Sequence, residues 1–248
     1  MNAIYILWLR ELKRYVRSRA MIVASLGQTL LYLLVLGFGL GPVFQKAGNG
    51  NYLQFIAPGV IGMSVLFTSV FSGIGLLFDR QFGFLKETLV APVPRISVMI
   101  GKTLGGATVA TLQGLLVLVI CLIAGFRPVN WLTLPLALVF MIMTAIVFAG
   151  LGVAMGSQLK DIQGMQLIMN FIVLPIYFLS GALFPLTSLP TVLNFLTRID
   201  PLTYGVDGLR SILIGTSQFA PELSFAVLCV AALLFVALGS YSFSRIEL

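Results

Sequence analysis

"PVNWLTLPLALVFMIMTAIVFAGLGVAMGSQL", residues 128–159, contains no charged side chain. A helix needs about 20 mostly apolar residues to cross the hydrocarbon core of a bilayer, so this run is long enough for a complete span. Uncharged runs of sufficient length also occur elsewhere in the chain, at 20–45, 47–78, 103–126, 162–197 and 223–244. Because long continuous apolar runs indicate membrane-spanning helices, the sequence predicts an all-α membrane protein with six transmembrane helices.

The composition supports the same fold class. The chain has 248 residues, of which 59% are hydrophobic and 9% are charged, whereas soluble domains carry roughly 25% charged residues. No segment is long and polar enough to form a second domain, so we predict one transmembrane domain over residues 1–248. The predicted spans, trimmed at their polar ends, lie at 20–43, 53–77, 99–124, 133–157, 164–183 and 222–243.

The basic residues are distributed unevenly between the two sides of the predicted bundle. Five of them precede the first span: Arg10, Lys13, Arg14, Arg17 and Arg19. If that side is inside and the spans alternate, only four basic residues lie outside: Lys46, Arg127, Arg198 and Arg210. The positive-inside rule then predicts a multi-pass protein of the cytoplasmic (inner) membrane with both termini in the cytoplasm. This bias explains the net charge of +7 without a nucleic-acid partner.

Residues 1–19 have the pattern of an amphipathic helix. Its apolar residues recur at helical spacing: Ile4, Leu7, Trp8, Leu12 and Tyr15. The opposite face carries Arg10, Arg14 and Arg17. Such helices lie in the plane of the membrane interface, so we predict an interfacial helix on the inner side with Trp8 at headgroup depth. The helix either sets the topology alone or also forms a docking surface, and the pattern leaves both interpretations open.

A polar segment over residues 78–98 separates the second and third spans. It begins "FDRQFGFLKETLVAPVPR" (78–95) and is several times longer than a turn between spans requires. Its apolar residues give a short helix one apolar edge: Phe82, Phe84, Leu85 and Leu89. Charged residues surround that edge: Arg80, Lys86 and Glu87. Pro92 and Pro94 then end the helix. An apolar anchor with a charged rim is typical of a small protein interface, although a helix lying on lipid headgroups has the same pattern.

A second unusual segment, residues 184–222, is predicted to lie outside although most of it is apolar. Pro185, Pro190 and Pro201 interrupt any continuous helix there. The segment is too short for two more spans and too apolar for a free loop. We therefore predict short re-entrant helices that pack on the protein and close the outer end of a pathway.

The chemistry of the chain argues against an enzyme or a self-energised pump. The sequence has no histidine, and its carboxylates do not form the close cluster that a divalent metal ion requires. The six uncharged cores lack the ionisable residue that a proton- or ion-driven carrier places inside a span. The G-x-x-x-x-G-K-[S/T] phosphate loop is also absent. We therefore predict a transport protein that binds no metal or cofactor and takes its energy from a partner at the inner face.

Three stretches carry a family resemblance: "YLQFIAPGVIGMSVL" (52–66), "FDRQFGFLKETLVAPVPR" (78–95), and the region from "FLSGALFPLTSLP" to "IDPLTYGVDGLR" (178–210). Together they resemble the permease subunits of bacterial and archaeal ABC exporters of the type-2 export class, close to the drug- and lipid-exporting branch. The second stretch is similar to the family's E/D-R-x-x-G-x-[LF]-x-x-L-x-x-[ST]-P-x-[SP]-R loop. It has Asp79 where Glu is usual and Ala91 where Ser or Thr is common.

The resemblance implies that two permeases pair, as a homodimer or with a sister chain, and that each binds a separate ATPase subunit carrying ATP and Mg²⁺. It also implies that the 78–95 stretch is the coupling helix that sits in the ATPase. The matching residues are Asp79, Arg80, Gly83, Leu85, Leu89, Pro92 and Arg95, to which the amphipathic pattern adds Phe84 and Glu87. The N-terminal helix is implied to contact the ATPase as well. The outer segment is implied to close the exit through Gly181, Pro185, Pro201, Tyr204 and Arg210.

These expectations combine into ATP-driven export of an amphiphilic substrate, such as a drug, a lipid or a lipid-linked glycan, from the cytoplasm or inner leaflet. Multidrug resistance is one role of that kind. Candidate pathway residues recur about every four residues along the second span: Phe55, Met63, Phe67 and Phe71. For any one of them, facing lipid or packing on another helix is the commoner role of such a residue. The alternative function is a passive channel or lipid scramblase that needs no nucleotide.

Overall fold

The computed structural model describes residues 3–46, 51–84, 93–159, 161–186 and 190–245. Its helices are α1 (Ala3–Arg17), α2 (Arg19–Lys46), α3 (Tyr52–Gln81), α4 (Arg95–Ile123), α5 (Leu134–Gln158), α6 (Ile162–Leu179), α7 (Thr191–Ile199), α8 (Pro201–Ile214) and α9 (Pro221–Ser244). A 3-10 turn, Trp131–Thr133, precedes α5. The described residues contain no β-strand, which confirms the all-α fold class.

The long helices agree with the predicted spans to within a few residues at each end. In the described part of the chain, five helices are long and apolar enough to cross a membrane: α3, α4, α5, α6 and α9. Helix α2 coincides with the first predicted span. It forms a bent pair with α1, and counting that pair as one span brings the number to six.

The two ends of the bundle carry different segments, and we name them by the predicted orientation. At the inner end, the end of α3 meets the end of α5 and the start of α4 meets the end of α9. Helix α1 packs at this end against α3 and α4. At the outer end, the start of α3 meets the residues after α4, which in turn bond to α8.

Small residues allow the central helices to approach closely. Helix α5 packs between α3 and α9, and α4 covers one side of α3 and α5. At the α3–α5 crossing, a methyl group added to Gly152 would lie 2.7 Å from the carbonyl oxygen of Val70. A methyl group added to Gly73 would overlap the backbone of Gly152 outright. The backbones themselves are therefore in contact, which is how small residues stabilise helix pairs in membranes.

Helix α6 differs from the other spans. Its middle turn, Met169–Val173, is a π-helix, and π turns inside α-helices often mark functional sites. Only 22% of its apolar stretch is buried within the chain. Phe171 is 78% exposed, and the neighbouring Asn170 is exposed as well. This face of the chain requires a covering of lipid or of another protein.

The outer segment contains the short helices that its prolines predict. Pro190 precedes α7, and Pro201 is the first residue of α8, where a missing backbone N–H has no cost. Helix α8 packs on α3, α5 and α9, whereas α7 is largely exposed. The re-entrant depth of these helices in the bilayer stays a prediction.

We expect Gly73→Ala to lower the free energy of unfolding by about 1–3 kcal/mol, because the added methyl group has no space at the α3–α5 crossing. Gly27→Ala in α2 is the control, since a methyl group there meets no atom within 4 Å. It should be neutral or slightly stabilising because Ala favours helices more than Gly does. Chemical denaturation in detergent micelles measures both values. Equal losses in the two variants would contradict the close approach.

Candidate functional site

The N-terminal helix packs along the inner half of α4. A methyl group added to Gly101 would lie 2.9 Å from Cβ of Leu7, and one added to Gly105 would lie 2.7 Å from Cβ of Glu11. The indole Nε1 of Trp8 donates a hydrogen bond of 2.9 Å to Oγ1 of Thr108. Two glycines four residues apart therefore form the surface that receives α1. The depth of Trp8 relative to the lipid headgroups stays a prediction.

A polar contact also links the end of α1 to the middle of α4. The Tyr15 hydroxyl donates to Oε1 of Gln113, and Nε2 of Gln113 donates to Oγ of Ser25 at 2.9 Å. Tyr15 and Gln113 are both buried. One amide thus bonds to both α1 and α2, on either side of the bend between them.

Four charged side chains at the inner end form one set of ion pairs, which we call the inner network: Arg10, Glu11, Asp79 and Lys102. The ammonium group of Lys102 contacts Oδ2 of Asp79 and lies 2.7 Å from Oε1 of Glu11. Nη2 of Arg10 lies 2.5 Å from the other carboxylate oxygen of Asp79. The side chains of Asp79 and Lys102 are only 7% and 5% exposed. The network therefore joins α1, α3 and α4 through charges that are largely withdrawn from solvent.

The cost of breaking the inner network follows from its burial. An ionised group in a medium of low polarity is stable only when it is paired. Asp79 has two cationic partners and Lys102 has two anionic ones, so removing a single member leaves a buried charge incompletely compensated. The arrangement resists separation of α1 from α3 and α4, and it can change only if several contacts change together.

The predicted coupling residues Asp79, Arg80 and Arg95 face other helices of the same chain. Nη1 of Arg80 donates to the carbonyl oxygen of Leu159 at 3.3 Å, next to the end of α5. Nη1 of Arg95 donates to the carbonyl oxygen of Ser244 at 2.6 Å, at the end of α9. These side chains connect the base of the 78–95 stretch to four helices of the bundle. They support that stretch from within the permease.

Gly83 and the aromatic residues around it form the exposed part of the coupling region. Gly83 has φ +80°, in the left-handed region that favours glycine, and turns the chain after α3. Phe78, Phe82 and Phe84 are 38%, 69% and 50% exposed. The rings of Phe78 and Phe82 stack with centroids 6.1 Å apart, and the Arg10 guanidinium lies 5.8 Å from the Phe84 ring centroid. Leu85, Glu87, Leu89 and Pro92 lie outside the described residues.

The remaining N-terminal arginines of the predicted set occupy different environments. Nη1 of Arg14 lies 3.7 Å from Glu11, and its guanidinium group approaches Gly75 of α3. Arg17 is exposed in the last turn of α1. The face of α1 that the sequence predicts to be polar is thus divided: Arg10 and Arg14 contact α3, and Arg17 does not take part in the inner network.

At the outer end, the predicted gate residues Gly181 and Arg210 are in direct contact. Gly181 has φ +72°, and Nη2 of Arg210 donates a hydrogen bond of 3.0 Å to its carbonyl oxygen. The Arg210 guanidinium lies 4.2 Å from the ring centroid of Phe55 on α3, within cation–π distance. Burial lowers the pKa of Arg210 to about 10, and nearby Asp207 acts in the opposite direction. Arg210 therefore remains charged at neutral pH and joins α8 to α3.

Other outer residues complete a closely packed cap over α3 and α5. The Tyr204 hydroxyl donates to the carbonyl oxygen of Arg198 at 2.9 Å, and Asp207 accepts from the backbone N–H groups of Gln218 and Phe219. Methyl groups added to Gly205 and Gly208 would collide with Thr144 and Phe140 of α5. Pro201 begins α8, whereas Pro185 is exposed and its role in a gate stays a prediction.

The candidate pathway residues occupy two different places on α3, the outer cap and a cavity further along the helix. Phe55 is held under the cap by Arg210. Met63, Phe67 and Phe71 line a small cavity of about 50 Å³ between α2 and α3. The rest of its lining is mostly hydroxyl and amide groups: Ser25, Gln28, Thr29, Ser64 and Thr68. Phe67 also packs edge-on against Tyr177 of α6. The cavity therefore combines aromatic surface with uncharged hydrogen-bonding groups.

Sequence reasoning missed the partners of several predicted residues. The sequence patterns described above predict no role for Glu11, Lys102 or Gln113. The sequence does hold a signal for two of them, since Glu11 is the only acid in the basic helix α1 and Gln113 is an isolated amide within an apolar span. Among the described residues, no group of three or more His, Cys, Asp or Glu side chains could hold a metal ion.

Comparison with known proteins identifies the family of the chain. The sequence profile of the family "ABC-2 type transporter" matches residues 2–214. The inner membrane transport permease YadH of Escherichia coli (strain K12) is 29% identical over 231 residues, covering 90% of this chain and 88% of YadH. Nodulation protein J of Rhizobium leguminosarum bv. trifolii is 30% identical over 213 residues, covering 85% and 78% of the two chains. A putative transport permease, ycf38 of Porphyra purpurea, is 30% identical over 207 residues, covering 81% and 70%.

The family match extends from α1 through α8, so it includes the inner network, the coupling region and the α8 part of the outer cap. It confirms the resemblance on which the expected roles rest, while the drug- and lipid-exporting branch stays a prediction. The chain belongs to the ABC-2 type transporter family, the transmembrane permease subunits of ABC transporters.

Proposed function

We propose that this permease is the transmembrane subunit of an ATP-driven exporter. It moves an amphiphilic substrate, such as a drug, a lipid or a lipid-linked glycan, out of the cytoplasm or inner leaflet. A separate ATPase subunit, which binds ATP and Mg²⁺, docks on residues 78–95. Two permease chains, identical or of sister sequence, enclose the transport path in the inner membrane, with their termini in the cytoplasm.

The observation that carries this proposal is the position of exposed aromatic rings directly beside the inner network. Phe78, Phe82 and Phe84 form an apolar surface at and just beyond the end of α3, and all three lie within five residues of Asp79. Exposed apolar patches of this kind mark binding surfaces, and buried aromatic anchors supply most of the energy of many interfaces. A protein that covers these rings would contact the part of the permease in which several helices are joined.

The contacts around this surface provide a route for mechanical coupling. Displacement of the end of α3 acts on α1 through Arg10 and on α4 through Lys102. The hydrogen bonds of Arg80 and Arg95 extend the connection to the ends of α5 and α9. Charge pairs and packed helices of this kind favour a small number of discrete arrangements over continuous deformation. ATP-dependent closure of a docked ATPase would shift the permease between two such arrangements.

The exposed spans differ in a way that supports a second permease copy. Side chains of α9 that are exposed between residues 223 and 238 are all apolar, as contact with lipid requires. The exposed faces of α2 and α6 instead include Gln28, Gln166 and Asn170. Polar side chains inside spans usually face protein or a water-filled path. We assign α2 and α6 to the side of the permease that meets its partner and lines the path.

The chemistry of the cavity between α2 and α3 fits an amphiphilic substrate. Phe67 and Phe71 offer apolar surface, while the hydroxyl and amide groups beside them can form hydrogen bonds without a fixed charge. Weak contacts of both kinds allow a substrate to pass without being held. A second permease copy would enlarge this cavity into a shared path.

The outer cap contains a carboxyl group whose ionisation opposes closure. Desolvation by burial raises the pKa of Asp200 to about 7, although hydrogen bonds from Leu202 N–H and the Thr203 hydroxyl favour its charged form. Asp200 is also the N-cap of α8. A carboxyl with a raised native pKa stabilises the fold when protonated, and this contribution decreases as pH rises from about 4 to 7.

We expect Phe82→Ser to weaken binding of the ATPase subunit at least 10-fold, because an anchor residue of an interface contributes about 2 kcal/mol or more. ATP-dependent transport in proteoliposomes should decrease in parallel. The matched control is Phe195→Ser on α7, since Phe195 is 65% exposed and Phe82 is 69% exposed. Leu85→Asp with Glu87→Lys extends the test along the same segment.

The same reconstitution also tests the proposed function as a whole. Transport should require both nucleotide and the ATPase subunit that co-purifies with the permease. Substrate flux that persists without nucleotide and is insensitive to changes in residues 78–95 would identify a passive channel or lipid scramblase instead.

We expect Lys102→Gln to lower the free energy of unfolding by roughly 3 kcal/mol, because it removes the cation shared by two largely buried carboxylates. The neutral triple variant Glu11→Gln/Asp79→Asn/Lys102→Gln should recover most of that loss. Denaturation in detergent measures both, with Arg14→Gln as a control expected to change stability by less than about 1 kcal/mol.

The triple variant also tests coupling. With its charges removed it should fold and bind the ATPase, yet hydrolyse ATP with little transport, because α1 and α4 are no longer tied to the end of α3. Full transport by this variant would exclude the inner network as the route of coupling.

We expect protection of the first amides of α8 against hydrogen exchange to decrease from pH 5 to pH 8, because Asp200 ionises within its buried site. Asp200→Asn should remove this dependence while keeping the helix cap, since Asn caps helices as well as Asp does. Exchange rates corrected for intrinsic catalysis measure the effect. Equal pH dependence in both proteins would show that another group is responsible.

A further inference from the structure

A basic groove runs along α1 on the side facing away from α4. It has a volume of about 570 Å³, and among the described residues its lining is Leu9, Arg10, Lys13, Arg14, Arg17 and Ser18. Four of these six residues are cationic and none is acidic. Because both Arg and Lys side chains donate several hydrogen bonds, the groove presents many donors and much positive charge within a small space.

The positive charge of the groove is only partly neutralised. Glu11, the acid of α1, pairs with Lys102 on the other side of the helix, and Arg10 is the one cation of the groove that pairs with Asp79 among the described residues. Arg14 has one long contact, 3.7 Å, with Glu11. Within the described residues, Lys13 and Arg17 form no ion pair. Two exposed cations therefore remain available to an anionic ligand.

An apolar edge borders the cations. Leu9 lines the groove, and Val16 lies seven residues further along the same edge of α1 and is 63% exposed. Ile6, seven residues before Lys13, is 47% exposed. Attraction to the C-terminal end of a helix would explain cations in its last turn, but it does not explain exposed apolar residues beside them.

We propose that this groove binds the phosphate headgroup of an anionic phospholipid of the inner leaflet, with the acyl chains along Ile6, Leu9 and Val16. A nucleotide or an acidic protein segment would use the cations but leave the apolar edge in water. An anionic lipid satisfies both features, and helices that combine basic and apolar faces bind such membranes. The bound lipid would hold α1 against α3 and α4, where the inner network already joins them.

The proposed lipid site depends on the predicted location of α1 at the inner side of the membrane. It does not depend on the proposed exporter function. Binding can be measured without nucleotide or transport, so a negative result would leave the proposed exporter function standing. The proposal assigns a ligand to α1 beyond the docking or topological roles considered for it.

Native mass spectrometry of the full-length chain in non-ionic detergent, titrated with phosphatidylglycerol, tests the site. Each cation near an anionic lipid strengthens binding about fivefold, so Lys13→Gln/Arg17→Gln should weaken the tightest site about 25-fold. Arg127→Gln/Arg198→Gln removes the same net charge at the outer end and should have no effect on that site. Lys13→Arg/Arg17→Lys keeps the charge, should keep the affinity, and shows that the groove tolerates substitution.

Several results would overturn the proposal. These are equal affinities in the two neutralised variants, or binding of phosphatidylcholine as tight as that of phosphatidylglycerol. Displacement by inorganic phosphate at constant ionic strength would show a site for free anions. Displacement of the lipid by the ATPase subunit would assign the groove to the interface between subunits.

Discussion

Opposite charges buried together at the inner end hold α1, α3 and α4 in one arrangement. Water cannot compensate Asp79 or Lys102 if they separate, because both side chains are largely excluded from it. Their mutual distance is therefore closely restrained, and so is the position of every helix to which they belong. The same requirement explains why Glu11 is turned toward α4 and why the cations of α1 remain on its opposite side. The pairing of Glu11 with Lys102 therefore determines which side of α1 faces α4 and which side carries the basic groove.

A comparable arrangement stabilises the outer end with different groups. Arg210 is buried without a carboxylate contact in the described structure and bonds instead to a backbone carbonyl and an aromatic ring. Between the two ends, glycine contacts bring the backbones of α3 and α5 together. A helix that is restrained at both ends and closely packed in the middle tends to move as a unit. Such a bundle is suited to passing displacement from one side of a membrane to the other.

Three exposed surfaces of the chain differ in chemistry, so each is suited to different surroundings. The apolar face of α9 suits lipid, and the face of α6 with its π turn and Asn170 suits protein or a polar path. The exposed aromatic rings next to Asp79 form the surface proposed above for the ATPase subunit. This division agrees with a permease that is one part of a larger assembly.

Local patterns in the sequence were enough to predict the all-α class, the position of each long helix, the short helices of the outer segment and the family. These depend on the lengths of uncharged runs, on prolines and on motifs, which are properties of contiguous residues. The sequence also indicated that residues 78–95 and 178–210 are special, but it did not predict that Asp79 pairs with Arg10 and Lys102. The packing of the helices sets those partners, and it also brings Arg210 to Gly181 and Phe55. Such pairings depend on which helix faces lie side by side. Because a charged residue has several possible partners on helices far apart in sequence, the sequence alone does not specify which of them it meets.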